Sequence, residues 1–121
     1  MIDFGLDVVS LIRIQYLLDQ SFCSAFINNI FIRSEQQYFN SLCGFRLISE
    51  VASGFAIKEA VVKASHNQLA TGDLKRITLI ENHNGLLSKA NRAVGDGLMF
   101  LVSVCHCGNS VIAVAGFEKY L

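Results

Sequence analysis

From about Phe45 to Ser65 the chain reads as one uninterrupted helix, and this segment constrains the fold more than any other. The sequence contains no proline, so nothing forces that helix to break and only glycines punctuate the remainder. Inside it, Phe55-Ala56-Ile57-Lys58-Glu59-Ala60-Val61-Val62-Lys63-Ala64 sets two lysines and a glutamate among apolar side chains. Glu59 and Lys63 are four apart and share a face, with Ala52 and Ala56 preceding them on that stripe. Two readings stand. One is a surface ion pair of the common Glu-before-Lys kind. The other is a carboxylate and an ammonium presented to a metal-bound phosphate, with small residues letting the ligand approach.

The remaining elements follow from periodicity. Residues 2–8 form a short apolar run, read as a buried strand ending at Asp7. Taken alone, Asp7 is a strand-end aspartate able to cap the next helix. From Ser10, a suitable N-cap, to Asp19, the apolar positions Leu11, Ile14, Leu17 and Leu18 recur at helical spacing. A second helix is expected to begin at Ser34, with Glu35 beside it and Tyr38 and Phe39 following. His66 to Asp73 is polar and reads as a loop. Leu74 to Ile80 alternates, and the Asn84-Gly85 turn signal leads into Leu86 and Leu87, which predicts a hairpin. Leu98–Cys107 and Ser110–Phe117 are two further strands joined at Gly108-Asn109. The order predicts an α+β fold, a long central helix on an antiparallel sheet of three or four strands, in one domain spanning residues 1–121.

Composition limits what such a domain does. Hydrophobic residues make up 52% and the mean hydropathy is +0.43, yet no apolar run approaches the roughly 20 residues needed to cross a bilayer. The apolar excess therefore points to an oligomer, not to a membrane. Asp3 and the lack of a basic flank argue against a secretory signal, so a cytoplasmic location is expected. Ten basic and ten acidic residues give no bulk field for nucleic acid, and an acidic partner has to meet a local basic patch. Cys23, Cys43, Cys105 and Cys107 form no Cys-x-x-Cys pair. In a strand, Cys105 and Cys107 point to one side and His106 to the other, so these three do not close around zinc and buried reduced thiols are expected.

Four motifs occur in order along the chain. The N-terminus reads Phe4-Gly5-Leu6-Asp7-Val8-Val9, followed by Ser10-Leu11-Ile12-Arg13-Ile14. Phe31-Ile32-Arg33-Ser34-Glu35 comes next, then Phe55 to Lys63, then Ser103-Val104-Cys105-His106. The set resembles the holo-(acyl-carrier-protein) synthases, the small 4′-phosphopantetheinyl transferases. Those proteins carry a Gly-x-Asp-(Ile/Val) strand before a helix with Arg-Ile, a Phe-Thr-x-x-Glu turn, a Phe-Ala-x-Lys-Glu-Ala-x-x-Lys helix and a Ser-(Ile/Val)-x-His strand.

The resemblance implies the compact transferase fold and transfer of 4′-phosphopantetheine from coenzyme A to a serine of an apo acyl carrier protein, in a homotrimer with sites between subunits. It implies Asp7 and Glu59 as ligands of Mg²⁺, Glu59 also as the base for that serine, and Lys63 as the group that neutralises the phosphoryl and protonates the departing adenosine 3′,5′-bisphosphate. His106, by itself a structural histidine among apolar neighbours, becomes a coenzyme A contact. Lys58, about 100° round the helix from Glu59, either meets a phosphate or faces solvent. Arg13 meets the acidic carrier, with Arg33, Arg46, Phe22 and Phe26 as candidate extensions of that surface. Four departures accompany the match. Ser53-Gly54 replaces the usual Gly-Arg, Ser65-His66-Asn67-Gln68 the usual Gly-x-Gly loop, Ile32 the turn threonine and Leu86 the hairpin proline. They predict a divergent member with altered coenzyme binding, and they leave open a non-catalytic carrier-binding module as the alternative.

Overall fold

The structure is a computed structural model, and it describes residues 3–21, 23–66, 71–81 and 86–121. Strand β1 (Phe4–Ser10) leads directly into helix α1 (Leu11–Leu18), and the Ser10 hydroxyl caps that helix by accepting from the Arg13 backbone N–H at 3.3 Å. Helices α2 (Cys23–Ile30) and α3 (Arg33–Asn40) follow, then the long helix α4 (Gly44–Ala64). Its 21 residues span roughly 30 Å. A 3₁₀ turn (Thr71–Arg76) precedes β2 (Thr78–Glu81), and a second one (Leu87–Lys89) precedes β3 (Ala90–Gly95). The chain ends in β4 (Leu98–Cys107) and β5 (Ser110–Tyr120).

All neighbouring strands pair antiparallel in the order β1-β5-β4-β3-β2, so the N-terminal strand closes the sheet beside the last one. Helix α4 lies across one face, chiefly over β1 and β5. Its Val51, Ala52, Ala56, Ile57, Ala60 and Val61 are fully buried, and β5 answers with Val111, Ala113 and Ala115. Small residues on both layers bring them close together. The small stripe at Ala52 and Ala56 was expected to admit a ligand; both side chains instead have no exposure and belong to this core.

The opposite face of the sheet is bare. Alternation along β1 buries Gly5 and Val9 and turns Phe4, Leu6 and Val8 outward, where they are 63%, 54% and 55% exposed. Leu101 of β4 and Val114 of β5 extend that apolar surface through the register Phe4↔Gly116↔Leu101 and Leu6↔Val114↔Ser103. Among the described residues no helix is long and apolar enough to cross a membrane.

Two elements lie outside the expectation. Helix α2 occupies a stretch assigned no structure, and the sheet has five strands where three or four were expected. The cysteines are not buried as expected: Cys43, Cys105 and Cys107 are exposed and Cys23 is half-buried, since Cys105 and Cys107 lie at the exposed end of β4. The expected strand over Leu74–Ile80 begins only at Thr78. Leu74 and Ile77 are both buried three residues apart, a spacing that a 3₁₀ turn places on one side. Leu86-Leu87 is not the returning strand of the hairpin either: Leu87 starts a buried 3₁₀ turn, and pairing with β2 begins at Ala90. The Asn-Gly turn at 82–85 and Phe22 lie outside the described residues.

Candidate active site

Helix α4 presents two neighbouring faces with different chemistry. On one, Phe55 and Glu59 line a cleft of about 590 Å³ whose other walls are Asp7, Val9 and Ser10 of β1, Arg13, Ile14 and Leu17 of α1, and Phe26 of α2. Phe26 and Phe55 close its apolar side with ring centroids 5.9 Å apart. Asp7 enters from β1, where alternation points it toward α4, and it remains 16% exposed at the side chain.

Lys63, one turn beyond Glu59, donates to Asp7 Oδ1 at 2.9 Å and to the Leu6 carbonyl at 3.0 Å. The cation of the helix motif is therefore tied to the strand aspartate, which selects against a simple Glu59–Lys63 surface pair. Burial pushes the Glu59 carboxyl above the usual carboxylate range and the nearby Asp7 charge raises it further, while Lys63 pulls the other way. Two carboxylates thus line the cleft, and a half-exposed ammonium is bonded to one of them. Such a donor set suits a hard dication, because a cation between the carboxylates removes the repulsion that raises Glu59.

Arg13 stands in the first turn of α1, exposed and on the cleft wall, where the Ser10 cap places it. His106 does not reach this cleft in the same chain. Its Nε2 lies 2.9 Å from Ser49 Oγ and 3.5 Å from Ser53 Oγ, near the N-terminal half of α4. Ser49 precedes Glu59 by ten residues, about 15 Å along the helix axis. These two serines escaped sequence reasoning, since nothing local links them to a histidine 53 or 57 residues away.

Lys58 requires a correction. Neither a solvent-facing role nor a phosphate contact fits its surroundings: its side chain has no exposure, and its ammonium donates to Glu35 Oε1 at 2.7 Å and to the Ile30 carbonyl at 2.9 Å. Burial pushes its pKa down against the opposing effect of Glu35. Position 54 is closed as well. A Cβ on Gly54 would stand 2.8 Å from Phe31 Cε1 and 3.1 Å from Leu87 Cδ1, so aromatic and aliphatic packing fills the space beside this glycine.

A family model described as the 4′-phosphopantetheinyl transferase superfamily matches residues 3–115, nearly the whole chain. The chain belongs to this superfamily. Within it, the holo-[acyl-carrier-protein] synthase of Oceanobacillus iheyensis is 28% identical over 109 residues, covering 90% of this chain and 89% of the relative. A segment of 62 residues is 42% identical to the corresponding synthase of Myxococcus xanthus, covering 50% of this chain and 46% of that one. The fold of this superfamily member also matches solved structures. A holo-(acyl-carrier-protein) synthase from Bacillus anthracis in complex with coenzyme A (3′,5′-ADP) superposes with a TM-score of 0.79 at 25% identity, covering 97% of this chain and 96% of that one. The Neisseria meningitidis synthase follows with 0.74 at 24% identity, covering 98% and 100%. The expected α+β transferase fold is thus borne out, and so is the resemblance to the holo-synthases.

Proposed function

We propose that this chain transfers 4′-phosphopantetheine from coenzyme A to a serine hydroxyl of an apo acyl carrier protein. The observation that carries this reading is that Asp7 and Glu59 line one cleft, with the Lys63 ammonium bonded to Asp7 and the Glu59 carboxyl raised by burial and by Asp7. Asp7 and Glu59 would hold Mg²⁺; among the described residues no third histidine, cysteine or carboxylate joins them, which leaves room for water and phosphate oxygens. When bound, the ion supplies charge neutralisation at the pyrophosphate.

The chain's own groups do the rest. Glu59 accepts the proton of the carrier serine as the serine oxygen forms its bond to the phosphorus next to pantetheine. The bond from that phosphorus to the bridging oxygen breaks, and adenosine 3′,5′-bisphosphate departs. Lys63, 52% exposed, swings from Asp7 to the transferring phosphoryl and supplies the leaving oxygen's proton. Arg13, on the rim, meets the acidic carrier. The bare sheet face of Phe4, Leu6, Val8, Leu101 and Val114 supports a homotrimer, and His106, remote from its own chain's carboxylates, supports a coenzyme site completed between copies. The reading places the protein in the cytoplasm with its substrates.

The packing around Gly54 favours a second reading, a carrier-binding module that has lost coenzyme A, because the position of the family's arginine is sealed by Phe31 and Leu87. Incubating the protein with an apo carrier, coenzyme A and Mg²⁺, and following the carrier's intact mass, separates the two. Gain of one phosphopantetheinyl group, abolished by EDTA, supports the transferase. Carrier binding with no mass gain and no Mg²⁺-dependent coenzyme A affinity supports the module.

A further inference from the structure

We infer that Lys58 and Glu35 form a positioning pair that sets helix α2 as the wall of the cleft, and that Lys58 makes no contact with either substrate. The pair sits at the corner between α2 and α3. Lys58 donates to the Ile30 carbonyl and to Glu35 Oε1, and the same oxygen accepts from the Ile32 backbone N–H at 3.0 Å. The ammonium also sits 5.0 Å from the centre of the Phe31 ring, whose edge lies on the bare backbone of Gly54. Gly54 and Lys58 are one turn apart, so a single face of α4 grips the whole corner.

The adjacent face of α4, through Phe55 and Glu59, lines the cleft. Helix α2 joins the two faces: Ile30 is held at the corner, while Phe26, one turn earlier, packs on Phe55 and forms the cleft wall. A buried ion pair is not an efficient source of stability, since apolar residues of similar volume hold a fold as well. Here Glu35 Oε2 is buried without a hydrogen-bond partner among the described residues, so the pair is not even fully satisfied. What it provides is direction: it fixes where the α2–α3 corner attaches along α4. Its kinetic consequence rests on the transferase reading; its structural consequence does not.

The test compares Lys58→Met, Glu35→Gln and the double variant Lys58→Met/Glu35→Leu in the full chain. Transfer kinetics are combined with amide hydrogen exchange of Cys23–Ile30 and of β4–β5. The expected result is that both single variants lose on the order of tenfold to a hundredfold in kcat/KM. Exchange should quicken in α2 and not in the β4–β5 hairpin, and the double variant should recover most of the activity with no ammonium at position 58. Near-normal kinetics for Glu35→Gln, with the double variant as impaired as Lys58→Met, would overturn the inference and make Lys58 a substrate contact. If a single variant does not fold, the double variant alone decides: recovery supports the pair as a positioning device, and loss of activity in a folded protein overturns it. If the wild-type chain transfers nothing, the transferase reading fails, and exchange remains decisive. Faster α2 exchange in Lys58→Met supports the positioning role, and unchanged α2 exchange refutes it.

Discussion

Gly5 of β1 lies directly against the backbone of α4: a methyl group in place of its α-hydrogen would stand 2.0 Å from the carbonyl oxygen of Ala60. The same added carbon would meet the Ala64 backbone nitrogen at 2.6 Å and the Lys63 Cβ at 2.9 Å. Backbone cannot yield as a flexible side chain does, so strand and helix would have to separate. Because Asp7 lies two residues on, pointing to the same side, this contact sets how far Asp7 stands from Glu59 and Lys63. Gly5→Ala is therefore expected to cost about 3 kcal/mol by overpacking and to lower transfer further than stability alone explains. Thermal unfolding and transfer assays on the folded fraction check both effects.

Arg13 is exposed on the cleft wall and forms no ion pair among the described residues, so its loss should act on encounter with the carrier more than on chemistry. Arg13→Ala is expected to raise the carrier's KM several-fold, to change kcat less, and to weaken the salt dependence of kcat/KM. Steady-state kinetics across ionic strength check this; an unchanged KM moves the docking surface elsewhere.

The outward face of β1 carries Leu6 between Phe4 and Val8, all more than half exposed. Buried in a contact between copies, a glutamate at position 6 would be an unpaired charge in an apolar seam. On the proposed trimer, Leu6→Glu is expected to shift the protein toward monomer in sedimentation. Since the coenzyme site is proposed to lie between copies, transfer should fall with it. A wild-type protein that sediments as a monomer at all concentrations would contradict the assembly.

Helix α4 ends in a strained residue. His66 has φ of +51°, the left-handed position that glycine usually fills after a helix, and its Nε2 lies 3.0 Å from Asp3 Oδ1. That exposed contact is worth well under about 1 kcal/mol, less than the backbone strain of roughly 1–2 kcal/mol. Stability should fall in the order Gly, His, Val at this position, because a β-branched side chain tolerates a positive φ less well than histidine does. Denaturant unfolding checks the order, and a valine variant as stable as wild type would remove the strain argument.

Elements with a strong local signature were legible in the sequence. The long helix was expected over 45–65 and spans Gly44–Ala64, and the Ser10 cap and the β4–β5 hairpin around Gly108 also stand where their residues place them. The hairpin's returning strand was set at Leu86-Leu87 and in fact runs over Ala90–Gly95; its far end had a signal in the Asp96-Gly97 dipeptide, where both residues have positive φ, the backbone of a tight hairpin turn. Helix α2 had the weaker signal of Phe26, Ile27 and Ile30 in a window without a cap. Glu59 and Lys63 stood out as charges among apolar neighbours, whereas Asp7 was singled out only by the family resemblance; the fold sets Asp7 and Glu59 on one cleft and bonds Lys63 to Asp7. Lys58 misled for the same reason, because its partner Glu35 is 23 residues away and only tertiary packing joins them.

The most direct test compares wild type with Glu59→Gln, which removes the charge and keeps the volume. Each would be incubated with apo carrier, coenzyme A and Mg²⁺ while the carrier's intact mass is followed over time. The expected result is phosphopantetheinylation by the wild type and a rate lower by at least about a hundredfold for the variant, with the same circular dichroism and the same oligomeric state. Equal rates for the two proteins would contradict the assignment of the Asp7–Glu59–Lys63 cluster as the active site.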